Sequence, residues 1–137
     1  MSKFLILCFI LWCSVSYSQE QRFSRYDLFC EVEVFESDSN RWVISTKNVG
    51  CYGYFMNDNQ KMIMMKCYND STDTFYEIIE TKNEFMQWTY KSVNITTKEV
   101  VYFHYYRSVP DEYDIYYYDI LRLDFSNHSI RYKKRQN

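Results

Sequence analysis

The chain has 137 residues, with 16 Lys and Arg against 18 Asp and Glu, for a net charge of −2; 47% of it is hydrophobic and 20% aromatic. That weakly acidic, mixed balance excludes a general nucleic-acid binder, and two glycines and one proline exclude a low-complexity chain. Alanine, the best helix former, is absent while Tyr, Phe, Val, Ile and Thr abound, so the composition leans to β-structure.

The opening stretch MSKFLILCFILWCSVSYSQE reads as an export signal. Lys3 gives a positive start, residues 4–13 are apolar, and Ser16 and Ser18 suit cleavage before Gln19. The apolar run is about half of the ~20 residues a spanning helix needs, which argues against a membrane anchor. Neither Cys8 nor Cys13 follows the small residue that a lipid-modified cysteine uses. Residues 1–18 are therefore expected to be a cleaved signal peptide. Residues 19–137 form a single β domain, exported to the periplasm or the extracellular space, with no transmembrane segment in the mature chain.

Along the mature chain, period-two alternation recurs. YDLFCEVEVF places Tyr26, Leu28, Cys30, Val32 and Val34 on one face, and a polar ESDSN turn follows. RWVIST is a short strand, and the two arms of CYGYFMNDNQKMIMMKC form a hairpin. TFYEIIET and FMQWTYKSV are strands joined by a KNE turn. KEVVYFHYYR follows the NITT turn, and the loop SVPDEYD leads to IYYYDILRLDF. SNH turns into a last strand around Ile130 and Tyr132, before a basic RYKKRQN end read as a solvated tail. Short connections make neighbouring strands antiparallel. The fold class is all-β: an antiparallel meander of eight or nine strands forming a small barrel, or alternatively a two-sheet β-sandwich.

In the hairpin, a three-residue turn of Asp58, Asn59 and Gln60 sets Cys51 opposite Cys67, close enough for a disulfide. A two-residue turn at Asp58 and Asn59 would separate them. Export makes a bond plausible and leaves Cys30 as the spare thiol; pairing of Cys30 with Cys51 or Cys67 stays open. Near the end, strict alternation in DIYYYDILRLDF places Asp119 on the face of Leu121, Leu123 and Phe125. A bulge at Ile120 and Leu121 would turn Asp119 outward and is preferred here, because an inward carboxylate without partners is costly. An inward Asp119 would be the best polar anchor for a ligand.

No GxSxG, HExxH, P-loop or GxGxxG motif occurs. The histidines are His104, mid-strand among aromatics, and His128, in a turn; a pairing of His104 with Asp119 or Glu99 is the one catalytic arrangement to test. Asp111, Glu112 and Asp114 lack the spacing and glycine of a calcium loop, and no CxxC pair offers a metal site. The reading is of no catalytic residues, no cofactor and no metal. Asn69, Asn94 and Asn127 head Asn-x-Ser/Thr triplets in turns, which matter only where the producing cell glycosylates.

The aromatics are the clear excess: 24 Phe, Trp and Tyr in the mature 119 residues. They supply core and cross-strand pairs, or a binding surface with rigid contact area and polar tips. Phe55, Met65, Trp88 and Phe103, with Asp119, are the candidates to line a ligand site or the core. The signal followed by short-turn hairpins over residues 25–133 resembles the lipocalin-like class of small exported β-barrels. That class carries a Gly-x-Trp on its first strand with an Arg packed over the Trp. Here NRW precedes Trp42 on the second predicted strand without the glycine, and Arg131 lies on the closing strand. The expected function is a non-catalytic module contacting a protein or glycan surface, or alternatively, as the resemblance implies, a carrier of a small apolar ligand.

Overall fold

In a computed structural model of the protein, the described residues are 23–29, 31–45, 52–57, 59–67, 72–110, 112 and 115–136. They hold ten strands and no helix: β1 (Phe23–Phe29), β2 (Glu31–Glu36), β3 (Arg41–Ile44), β4 (Tyr52–Asn57), β5 (Met62–Cys67), β6 (Asp73–Glu84), β7 (Gln87–Asn94), β8 (Val100–Arg107), β9 (Tyr118–Asp124) and β10 (Ser129–Arg135). The expected signal peptide and Cys30 lie outside the described residues. No helix among the described residues is long and apolar enough to cross a membrane.

The strands form one antiparallel sheet in the order β1-β4-β5-β6-β7-β8-β9-β10-β2-β3. It is an antiparallel meander, and it is one sheet rather than the two of a sandwich. The stretch read as a first single strand is two strands, because its halves pair differently: β1 with β4, and β2 with β10 and β3. The sheet curls. Tyr54 on β4 and Tyr105 on β8 stack at 6.3 Å, although four strand steps would hold them ~19 Å apart in a flat sheet. β1 also touches β10. The ladder nevertheless stays open, with β1 and β3 as its two ends, so the barrel expectation is met in curvature and not in hydrogen-bonded closure.

The concave face holds the core. Phe29, Tyr54, Ile63, Tyr90, Val101, Phe103, Leu121 and Leu123 are fully buried there, and Tyr76 meets Phe103 edge-on at 4.9 Å. Each such side chain contributes about 1.5–3 kcal/mol on leaving water. Ser92 is buried among them and donates its hydroxyl to the Val101 carbonyl at 2.8 Å.

Two expectations are corrected. In the β4–β5 hairpin Tyr52, not Cys51, faces Cys67, with Tyr54 opposite Met65 and Met56 opposite Ile63. The loop is four residues, 58–61. Its length is set by the Asn57 side chain, whose Oδ1 accepts from the backbone N–H of Lys61 at 2.9 Å and of Met62 at 3.0 Å. This register buries Tyr54, Met56, Ile63 and Met65 on one face, whereas a one-residue slip would expose two of them. The expected disulfide is therefore absent at Cys67, whose thiol is free; Cys51 lies outside the described residues. Second, β9 carries no bulge: Asp119, Leu121 and Leu123 pair in regular register with both neighbours, and Asp119 is buried on the concave side.

The turn expected at KNE lies further on. β6 runs through it to Glu84, which pairs with Gln87, and the turn falls on Phe85 and Met86. This register sends Trp88 and Tyr90 to the concave face opposite Tyr105 and Phe103. Core packing thus overrides the local turn preference. Phe85 and Met86 have φ of 51° and 65°, the type I′ signature that Asn-Gly fills best. They are 100% and 92% exposed, so they carry backbone strain without any burial in return. Replacing them with Asn and Gly (Phe85→Asn, Met86→Gly) is predicted to stabilise the fold by about 1 kcal/mol or more, read as a rise in Tm; an unchanged or lower Tm would contradict this turn geometry.

Candidate functional site

The concave face is filled at its middle and open at its ends. At one end, the β6–β7 tip and Ser108, Val109 and Tyr117 wall a cleft of about 610 Å³, within the range of small-molecule sites. Trp88 and Tyr105 reach it from the core side, Phe85 and Met86 from the tip, and Arg107 and Asp119 supply its charge. The rings are held by the layer beneath: Trp88 stacks on Tyr90 at 6.3 Å, as Tyr105 does on Tyr54. Their position in the cleft is thereby fixed before any ligand arrives.

Asp119 is positioned by alternation on β9, directly opposite Arg107 on β8 and Lys134 on β10. Its Oδ1 accepts from Arg107 Nε at 3.3 Å and its Oδ2 from Gln136 Nε2. These partners offset the cost of burying a carboxylate. Arg107 remains 62% exposed at its side chain, so the Asp119 carboxylate forms the floor of the cleft and the guanidinium its accessible charge.

A second, smaller cavity of about 250 Å³ lies at the opposite end, where Met65, Cys67, Tyr76, Leu123 and Tyr132 meet. Burial pushes the Tyr76 phenol up from its ordinary value, with the Glu99 charge adding to it and the Asn94 hydrogen bond opposing. The phenol stays protonated at neutral pH.

The candidate lining residues are thus divided. Trp88 and Asp119 come together in the larger cleft, Met65 lines the smaller cavity, and Phe103 is buried between the two. The side chains of Phe55 and Cys51 lie outside the described residues. Tyr105, Arg107, Phe85, Met86 and Gln136 were not among the residues singled out from sequence. Arg107 could have been found by asking which cation the register sets against an inward Asp119.

The convex face carries a polar network across six strands. His104 Nε2 meets Asp124 Oδ2 at 3.0 Å, and its Nδ1 meets Thr89 Oγ1 at 3.1 Å and Gln87 Nε2 at 3.2 Å. His104 therefore faces away from Asp119, while Glu99 accepts from Ser126 instead. Neither pairing raised as a test, His104 with Asp119 or with Glu99, is formed, because the alternation that sends Phe103 and Tyr105 inward turns His104 the other way. Asp124 Oδ1 also accepts from Arg122 Nε and Ser129 Oγ, each at 2.7 Å. Beyond it, the guanidinium of Arg131 lies 4.5 Å and that of Arg122 5.5 Å from the Trp42 ring centre, and Phe35 packs edge-on at 5.3 Å. Buried Glu33 is paired with Arg131 and Lys133. The expected solvated basic tail is instead strand β10, with Lys133 over the Tyr118 ring and Arg135 over that of Tyr116.

Asn94 uses its Oδ1 to accept from the N–H groups of Thr96 and Thr97. Asn127 is exposed in the β9–β10 turn, and Asn69 lies outside the described residues. Comparison with protein-family models, curated proteins and solved structures gives no match for the chain.

Asp124 gives the network a pH signature. Burial pushes its carboxyl up, but the Ser129 and Arg122 hydrogen bonds and the charges of Arg122 and His104 outweigh it, and it is held below its ordinary 3.8. A carboxyl depressed by folding adds stability above its unfolded pKa and loses it as pH falls through the folded value. Asp124→Ala is predicted to cost about 2 kcal/mol at neutral pH, with the gap to wild type narrowing below pH ~4. A gap that does not change with pH in denaturant melts would show that the carboxylate charge plays no part.

Proposed function

We propose that the chain is an exported, non-catalytic binding module that works in the periplasm or outside the cell. It takes a small, largely apolar ligand in the cleft between the β6–β7 tip and Ser108, Val109 and Tyr117. The observation that carries this reading is the cleft itself: about 610 Å³, walled by Trp88 and Tyr105 with a charged floor. The filled middle of the concave face supports binding at the mouth rather than in a central cavity.

Support for a carrier also comes from Arg131 over Trp42. It matches the Trp-Arg contact of the lipocalin-like class in kind, with the Trp on β3 rather than on the first strand. A second reading, contact with a protein or glycan surface, is favoured by the exposure of Phe85 and Met86. Such a tip presents apolar area that a partner would cover.

A neutral naphthylamine dye, which brightens in apolar surroundings, separates the two. The carrier reading predicts saturable binding by the wild type, weakened about tenfold or more by Trp88→Ala, with Trp42 emission left to report the fold. The Phe85→Asn, Met86→Gly variant should bind more weakly even while melting higher. No saturable binding by the wild type would sink the small-ligand reading and leave the surface-contact one.

A further inference from the structure

Resting on the cleft as a small-ligand site, we infer that its ligand is a soluble anionic amphiphile. Its carboxylate, sulfate or phosphate group docks on Arg107, and its apolar body lies against Trp88 and Tyr105 beneath the β6–β7 tip. The inference comes from the charges around Asp119. The row Arg107, Asp119, Lys134 runs straight across β8, β9 and β10, and of its cations Arg107 is the one that lines the cleft. The carboxylate is the buried member, with an N–H donor on each oxygen. It is therefore not available to a cationic ligand.

Arg107 spends its Nε on Asp119 and keeps most of its side chain exposed in the cleft. A guanidinium held by one edge presents the rest of its planar fork to an incoming acid group, a geometry suited to bidentate contact. Among the described residues of the neighbouring segments, the acids Glu84 and Glu112 are exposed, so they screen the site weakly. The exposed tip residues Phe85 and Met86 give the apolar body its cover. That cover would bury area which the free protein leaves in water at the cost of a strained turn.

The test is calorimetric titration of the whole protein with three ligands that share one apolar body: 2-naphthoate, 2-naphthylmethanol and 2-naphthylmethylammonium. The expected order is carboxylate tightest, by about tenfold over the alcohol, which is the scale of one charge-assisted hydrogen bond. Arg107→Gln should collapse the carboxylate-to-alcohol ratio toward one. If that variant does not fold, Arg107→Gln combined with Asp119→Asn removes both charges of the pair and serves the same comparison. Equal affinities, or the ammonium tightest, would overturn the anion inference while leaving the cleft as a ligand site. No binding by any of the three would overturn both. Binding to phosphatidylglycerol vesicles without binding to free naphthoate would place the acid group on a bilayer and overturn the soluble-ligand assignment.

Discussion

One segment of chain serves both ends of the sheet. β1 pairs with β4 at one end of the ladder and β2 with β10 near the other, yet only residue 30 separates them in sequence. Phe29 and Glu31 can be no more than ~7 Å apart. The strands from β4 to β10 must therefore curve until their outer members meet, and a flat sheet is impossible for this connectivity. The stack of Tyr54 on Tyr105 is the side-chain expression of that constraint. So is the burial of Phe29, which stands at the last position of an end strand and is nonetheless fully enclosed.

The curvature decides where binding can occur. A sheet curled this tightly and lined with Tyr, Phe and Leu fills its own middle, leaving space only where strands end. At the β5 and β9 ends the space is small and lined by Met65 and Cys67. At the other end β6 and β7 extend to a tip at Phe85 and Met86, and the cleft forms beneath it. Three features that stability alone would not select coincide there: a buried carboxylate, a strained turn and two exposed apolar side chains. Departures from local consistency gather where a protein works. The convex face contrasts with it, since Asp124, His104, Glu33 and the arginines pair with one another and tie β3, β2, β10, β9, β8 and β7 together.

Much of the fold was legible in the sequence. Alternation marked the strands, short connections made them antiparallel, and the aromatic excess announced the core. What alternation cannot supply is register, because a slip of one residue leaves the pattern of each strand intact while reversing its partner's face. The Cys51 and Cys67 pairing failed on that single residue, through a side-chain bond from Asn57. The tip at Phe85 and Met86 was missed because turn propensity pointed to KNE while the demand for Trp88 and Tyr90 in the core pointed elsewhere. Asp119 was expected outward because its partners, Arg107 and Gln136, come from distant segments. Trp88 and Asp119 were readable as candidates one at a time. Only the curl of the sheet sets them in one cleft.

The most direct test of this account is a nuclear Overhauser measurement on protein with labelled tyrosine rings, assigned through Tyr54→Phe and Tyr105→Phe. The curled sheet predicts a cross-peak between the rings of Tyr54 and Tyr105. Strands β4 and β8 could otherwise come no nearer than three intervening strands allow. A clear ring signal from each tyrosine with no cross-peak between them would contradict the curl, and the cleft that depends on it.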